Sequence, residues 1–244
     1  MRIWLLILLI MSGPALADTL RLAVGQSLPP YIMADGTGME LDIVREALAL
    51  RGYDIEPVFM PFQRVVDSVR QGQTEGALTV NEDSGLKAFY SAEHIRYQNV
   101  AIALAKRRLP VHEVRDLAGY SVLAFQNARH YLGPAFGAMA AANPEYHELA
   151  QQQLQIAMLL NERVDVIVLD QNIFTYFRHA RAAPVTDAGI EIFTLFPPTP
   201  YKVAFREAVW RDAFNSGLAE LRANGRYDAI LHSYLSPDTR SEQP

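Results

Sequence analysis

The chain has 244 residues, no cysteine and a formal net charge of −5, and half of its residues are hydrophobic. Without cysteine it can form no disulfide, and an anchor attached through an N-terminal lipidated cysteine is excluded too. The mild acidity, with no charge run, low-complexity tract or internal repeat, gives no footprint for nucleic acid or an anionic membrane surface.

Met1-Arg2 is a short positive start, Ile3 to Met11 is a nearly unbroken apolar run, and Ser12-Gly13-Pro14 breaks it before the small-x-small triplet Ala15-Leu16-Ala17. That order predicts a secretory signal peptide over 1–17, cleaved before Asp18. The apolar run is shorter than the about 20 residues needed to span a bilayer, so the expectation is a soluble mature protein in the periplasm. The remainder is long enough to bury one large core or two modest ones.

Leu20 to Val24 alternates like a strand and opens at Gly25, Pro29 and Pro30 into a loop that Gly36 and Gly38 close. Leu41, Ile43, Val44, Ala47 and Leu48 recur at helical spacing, with Gly52 at the stop. Ile55 to Phe59 reads as a strand. Pro61 falls at the first turn of a helix carrying Val65, Val66 and Val69, and Ala77 to Val80 is a short apolar strand. Strands alternating with helices predict a parallel sheet with helices on its faces. The same grammar restarts with strands over Asn99 to Ala105 and Ser121 to Phe125. A helix ended by Asn143-Pro144 follows, then a helix face of Leu154, Ala157, Met158 and Leu160, and a continuous apolar strand from Val164 to Leu169 that ends in Asp170. Phe196 to Pro200 is a stiff connector. Tyr201 to Phe205 is a further strand, Val209 to Leu221 an amphipathic helix closed by Gly225, and a last short helix ends near Leu235. Two α/β units in sequence predict two lobes of ordinary domain size.

Several segments, in this order and spacing, resemble the extracellular solute-binding proteins, family 3, of polar amino-acid importers of the ATP-binding-cassette (ABC) type. They are the Pro29-Pro30-Tyr31 loop, Gly38-Met39-Glu40-Leu41-Asp42, Met60-Pro61-Phe62-Gln63-Arg64, Phe89-Tyr90-Ser91 and Asp116-Leu117-Ala118-Gly119. The strand Arg163 to Asp170, Phe214 to Leu218 and Gly225-Arg226-Tyr227 complete the set. The resemblance implies the α/β, two-lobed periplasmic binding protein fold (type II), its lobes joined by two hinge crossings. Lobe 1 would hold 18–103 and 200–244, and lobe 2 would be the insert 104–199. A small polar ligand would lie in the cleft, with the lobes closing over it by a hinge motion.

A zwitterionic ligand needs a cation or helix-start amides for its carboxylate, a carboxylate for its ammonium, and an apolar or aromatic wall. Asp170 stands at the carboxyl end of a strand, where α/β sheets hold ligands, and its family position pairs with the ammonium group. As a residue it also reads as the N-cap of the next helix. By the same resemblance Tyr31 and Phe62 wall the cleft, Thr79 faces the ligand with a hydroxyl, and Arg64 belongs to a helix start that either binds or bridges structure. Ser84 stands where the family carries the arginine that clamps the ligand carboxylate. Lys87 is a displaced substitute, and Arg129, at the start of a lobe 2 helix, is the candidate compensation.

The six histidines, at 94, 112, 130, 147, 179 and 232, share no metal-ligand spacing. No cofactor or metal is expected. The leading expectation is a monomeric, non-enzymatic binding protein serving an ABC permease. The alternatives are a stand-alone accessory or sensing protein with a non-amino-acid ligand, and a dehydratase of prephenate or arogenate type on the same fold. For the last, Glu40, Glu82 and His130 are the candidate general acids.

Overall fold

The computed structural model describes residues 18–26, 28–180 and 189–236; the expected signal peptide and the polar end past 236 lie outside the described residues. β1 (Asp18–Val24) leads through a loop to α1 (Met39–Ala49), β2 (Tyr53–Phe59), α2 (Phe62–Arg70) and β3 (Gly76–Val80). β1 pairs in parallel with both β2 and β3, as the alternation of apolar strands and helices predicts. Every residue of β3 is buried, as befits a central strand covered on both faces. α1 buries the predicted stripe of Leu41, Ile43, Val44, Ala47 and Leu48. Pro61 is the N-cap of α2 rather than a first-turn residue, because its ψ of 137° still continues the extended chain leaving β2.

β4 (Phe89–Tyr90) and β5 (Ile95–Tyr97) follow, and at Gln98 the chain leaves the first sheet. A second α/β unit comprises β6 (Asn99–Leu104), β7 (Val122–Phe125), α3 (Ala128–Tyr131), α4 (Gly133–Ala142), β8 (Tyr146–Leu149), α5 (Gln152–Leu160), β9 (Val166–Asp170), α6 (Gln171–Ala180) and β10 (Ile190–Phe193). Its strand order is β10-β6-β9-β7-β8. β7 runs parallel to β8 and β9, and β6 antiparallel to β9 and β10. The single helix predicted after Arg129 is two helices, α3 and α4, parted at Gly133, whose φ is 86°.

The chain then returns. β11 (Thr199–Phe205) pairs antiparallel with β3, β4 and β5, giving the first sheet the order β2-β1-β3-β11-β4 with β5 also on β11. α7 (Ala208–Ala223) and α8 (Arg226–Leu235) pack beside α1. The passages between the sheets therefore fall at Gln98 and between Phe193 and Thr199. The first comes earlier than the boundary expected after residue 103, because Asn99 to Ala103 pair with β9 in the second sheet. Gln98 ties the passages together: its side-chain amide donates to the carbonyls of Asn99 and Phe196, each at 2.9 Å.

One apolar cluster runs from Leu22, Val24 and α1 through Tyr31 and Tyr97 into Ile102, Leu104, Ile167 and Leu169, so the lobes share a core at the crossing. A second, built on Leu117, Phe136 and Val166, lies within lobe 2. Among the described residues no helix is long and apolar enough to cross a membrane.

α7 packs closely on α1 at Gly217, where a Cβ would fall on the Ala47 backbone. Overpacking of this kind costs about 1–3 kcal/mol. Gly217→Ala is therefore expected to lower stability by about 2–3 kcal/mol, read as a lower urea midpoint at unchanged m-value.

Candidate ligand-binding site at the crossing between the lobes

The site is built where the loop after β1 meets the end of β9. Gly38, at φ 127°, lets that loop lie directly on the start of α1; a Cβ there would collide with the Tyr31 carbonyl. The carbonyls of Pro30 and Tyr31 accept from the amides of Met39 (2.9 Å) and Glu40 (3.0 Å), satisfying two of the donors that a helix start leaves free. The loop is thereby fixed, and Tyr31 with it. Tyr31 has no exposed surface; its ring stacks on Tyr97 at 3.8 Å between centroids, and Tyr97 meets the edge of Tyr201 at 4.8 Å.

Asp170 is buried, and its carboxylate gathers four donors. Oδ1 accepts from the Tyr31 hydroxyl at 2.9 Å and from the amides of Asn172 (2.8 Å) and Ile173 (3.1 Å). Oδ2 accepts from the amide of Gln98 at 2.7 Å. The two α6 amides make it the N-cap of that helix. The Tyr31 bond comes from lobe 1 and the Gln98 bond from the crossing itself. Burial pushes the Asp170 carboxyl up to about 6, while the hydrogen bonds pull it down. Burial, then the charge of Asp170, pushes the Tyr31 hydroxyl well above its usual range, so it stays a donor. Asn172 Nδ2 donates to the same hydroxyl oxygen at 3.1 Å.

A second buried carboxylate lies on the lobe 1 side. Glu40 Oε1 accepts from the Thr79 hydroxyl at 2.8 Å and lies 3.1 Å from His94 Nε2, and Oε2 accepts from the Tyr97 hydroxyl at 3.0 Å. Glu40 and His94 have no exposed surface, and His94 Nδ1 is buried without a partner. Thr79 has a φ of 56°, a strained value for a β-branched residue. It sits at a β-bulge: Lys202 of β11 faces Val80, but Ala204 faces Ala77, so β3 carries one extra residue there. The bond to Glu40 holds this bent strand end in place.

Tyr31, Thr79 and Asp170 are thus joined in one network, running from Thr79 through Glu40, Tyr97 and Tyr31 to Asp170. The other expected site residues lie apart from it. Phe62 opens α2 and is 48% exposed, beside Gly25. Arg64 is exposed and lines a hollow with Phe59, Met60, Asp67 and Gln71 at the outer, β2 edge of the sheet. The Ser84 hydroxyl bonds the Tyr90 hydroxyl at 2.8 Å and accepts from the Leu86 amide at 3.3 Å. At the start of α3 the protein's own Glu148 stands where an external anion was expected. It accepts from the amides of Asn127 (2.8 Å) and Arg129 (3.2 Å), from Arg129 Nε (3.2 Å) and from the Tyr146 hydroxyl (2.7 Å). The candidate general acids are not gathered either: Glu40 is buried, Glu82 pairs with Lys202 at 2.5 Å, and His130 is exposed on α3. Tyr97, His94, Gln98 and Glu148 were not singled out from the sequence as site residues. A Tyr-Gln pair just before the crossing strand was the available signal.

Two α/β lobes joined by two passages define a type II periplasmic binding protein fold. The profile of the bacterial extracellular solute-binding proteins, family 3, matches residues 20–237, and the chain belongs to that family. Among solved structures, YckB of Bacillus subtilis aligns at a TM-score of 0.72 and 20% identity, over 93% of this chain and 94% of its own. An ancestral arginine-binding protein bound to arginine aligns at 0.65 and 19%, over 91% and 100%. A histidine kinase sensor domain with similarity to periplasmic binding proteins aligns at 0.66 and 17%, over 91% and 97%. At these identities the likeness shows the fold. No curated protein matches the chain.

Two outcomes test the Asp170 site. Tyr31→Phe removes the donor from lobe 1 to a buried carboxylate and is expected to lower stability by about 2 kcal/mol, measured by urea unfolding at pH 7. Asp170 is also expected to impose a pH slope. Its folded pKa, about 6, lies above its ordinary value of 3.8, so between those values the folded state holds more protons than the unfolded state. Stability from this group is then greatest below about pH 4 and falls as pH rises to 6, by about 1.4 kcal/mol per pKa unit. The stability difference between wild type and Asp170→Asn should shrink over that window; an unchanged difference would show that the carboxylate ionises as readily folded as unfolded.

Proposed function

We propose that the protein is an exported periplasmic binding protein that captures a small polar ligand, an amino acid or a related compound, between its lobes and delivers it to the membrane subunits of an ABC importer. Family membership supports the binding role. The observation that carries the ligand class is Asp170, a buried carboxylate at the carboxyl end of β9 that faces the other lobe. Such a group suits an ammonium ion, and open α/β sheets bind ligands at their carboxyl ends. The arginine-bound ancestral protein of the same fold agrees with a ligand of this kind.

A second reading is a stand-alone sensing or accessory protein with a different ligand. Ser84 in place of a clamping arginine, turned toward Tyr90, favours it, and so does the fold shared with a kinase sensor domain. Thermal-shift measurements against the twenty common amino acids, polyamines, small carboxylates and sugars separate the two. A ligand at about 1,000 times its Kd stabilises the native state by about 4 kcal/mol. An amino acid is expected to raise the Tm of the wild type and to lose that effect in Asp170→Ala. A shift produced only by a sugar or other uncharged compound would transfer the conclusion to the second reading.

A further inference from the structure

The carboxyl ends of β7 and β9 lie side by side. Leu123 and Ala124 pair in parallel with Ile167 and Val168, and the same register carried two residues on sets Gln126 beside Asp170. The turn into α3 at Asn127 is therefore one strand over from the buried carboxylate, a sideways step of about 5 Å. The ammonium and carboxylate of an α-amino acid hang on one carbon, so such a ligand on Asp170 would bring its carboxylate close to this edge. The donors there are already taken. Glu148 of β8, level with Ala124 of β7, accepts from the amides of Asn127 and Arg129, from Arg129 Nε and from the Tyr146 hydroxyl. Its side chain is only 15% exposed. Burial pushes its carboxyl up, but the bonds from Tyr146, Arg129 and Asn127 outweigh burial and hold it below its ordinary value, so it stays ionised. Other cations are placed elsewhere: Lys202 is paired with Glu82, and Lys87 lies with Arg70 and Arg206 beside the last turn of α2. Among the described residues, the buried charged or titratable polar groups are Glu40, Asp170 and His94, with no lysine or arginine.

We propose that Glu148 is a built-in stand-in for a ligand carboxylate, and that the site takes small organic amines without a carboxylate in preference to the parent amino acids. The inference deepens the proposed function and rests on its reading of Asp170 as an ammonium site. An incoming carboxylate has two courses at this edge. It can displace Glu148 from four donors, or it can lie beside an ionised carboxylate whose partner Arg129 is already matched. Both oppose binding, and a like charge built in against one ligand class is a means of selecting another. An amine meets neither obstacle: it adds a donor to Asp170 and brings no anion. The chain's net charge of −5 draws cations toward the protein as a whole.

The test is calorimetric titration of the protein expressed from its full chain, as wild type, Glu148→Gln and the double variant Glu148→Gln/Arg129→Gln. The probes are the twenty common L-amino acids, each beside the amine that loss of its α-carboxylate leaves, such as cadaverine for lysine, agmatine for arginine and phenethylamine for phenylalanine. In the wild type the amine of the best-bound pair is expected to bind at least as tightly as its amino acid. Glu148→Gln frees Arg129 and should tighten the amino acid by about tenfold relative to its amine, and the double variant should lose that gain. A wild type that binds an amino acid about tenfold or more tighter than its amine overturns the inference and leaves the proposed function standing. That comparison needs no variant, so it holds even where Glu148→Gln does not fold. An amino acid to amine ratio that a folded Glu148→Gln leaves unchanged also overturns the inference, because Glu148 would then not set the preference. A wild type that binds neither member of any pair overturns the ammonium reading of Asp170 and the inference together.

Discussion

The buried carboxylate of Asp170 is the constraint on which the arrangement of the two lobes depends. An ionised carboxylate out of water must be supplied with donors, or the group is strongly destabilising. Here the donors come from three parts of the chain: the first turn of α6, the crossing residue Gln98 and Tyr31 of lobe 1. Any movement that takes Tyr31 from Asp170 leaves the carboxylate with three partners and exposes a tyrosine that now has no accessible surface. Contact between the lobes at Tyr31 and satisfaction of the Asp170 carboxylate therefore go together.

Glu40 does for lobe 1 what Asp170 does between the lobes. It draws Thr79 from β3, His94 from the turn before β5 and Tyr97 from β5 onto one point beside the start of α1. A threonine at φ 56° persists here with its hydroxyl bonded to the buried Glu40 carboxyl group. The stacked pair of Tyr31 and Tyr97 links the two carboxylates, each ring donating its hydroxyl to a different one. The aromatic stack excludes water, which strengthens both hydrogen bonds.

The parallel units were legible because their strands are apolar runs and their helices have clear periodicity: β1, β3 and β9, and α1, α5 and α7, lie where the pattern puts them. β8 was missed because Tyr146-His147-Glu148-Leu149 is short and half polar, at the edge of the sheet, where one side is uncovered and alternation is weak. β4 and β5, at two and three residues, are too short to have a period. The crossing was set late because Val100 to Leu104 reads equally well as the end of one sheet or the start of another; only its pairing with β9 decides. Within the site, Asp170 was legible as a polar residue ending an apolar strand, and its reading as the N-cap of the next helix is the one that its bonds from the Asn172 and Ile173 amides show. The occupation of the α3 start by Glu148 was not legible, because the acid comes from a strand that had not been recognised.

The distribution of donors on Asp170 is uneven, and this bears on how an ammonium group can join them. Each carboxylate oxygen offers about two lone-pair directions. Oδ1 already takes three donors, so they share its acceptor capacity, while Oδ2 takes only the Gln98 amide. An ammonium that approached Oδ1 would have to displace either the lobe 1 tyrosine, reopening the lobes, or the cap of α6. At Oδ2 it adds a donor and displaces none. The proposed capture is thus compatible with the closed arrangement only from the Gln98 side, next to the segment where the chain passes from one sheet to the other. Binding there would tighten the crossing between the lobes, because the ligand and the Gln98 amide would share one oxygen. In this scheme Tyr31 keeps the lobes together whether or not a ligand is present, and the ligand's contribution to closure comes from the oxygen that Tyr31 does not use.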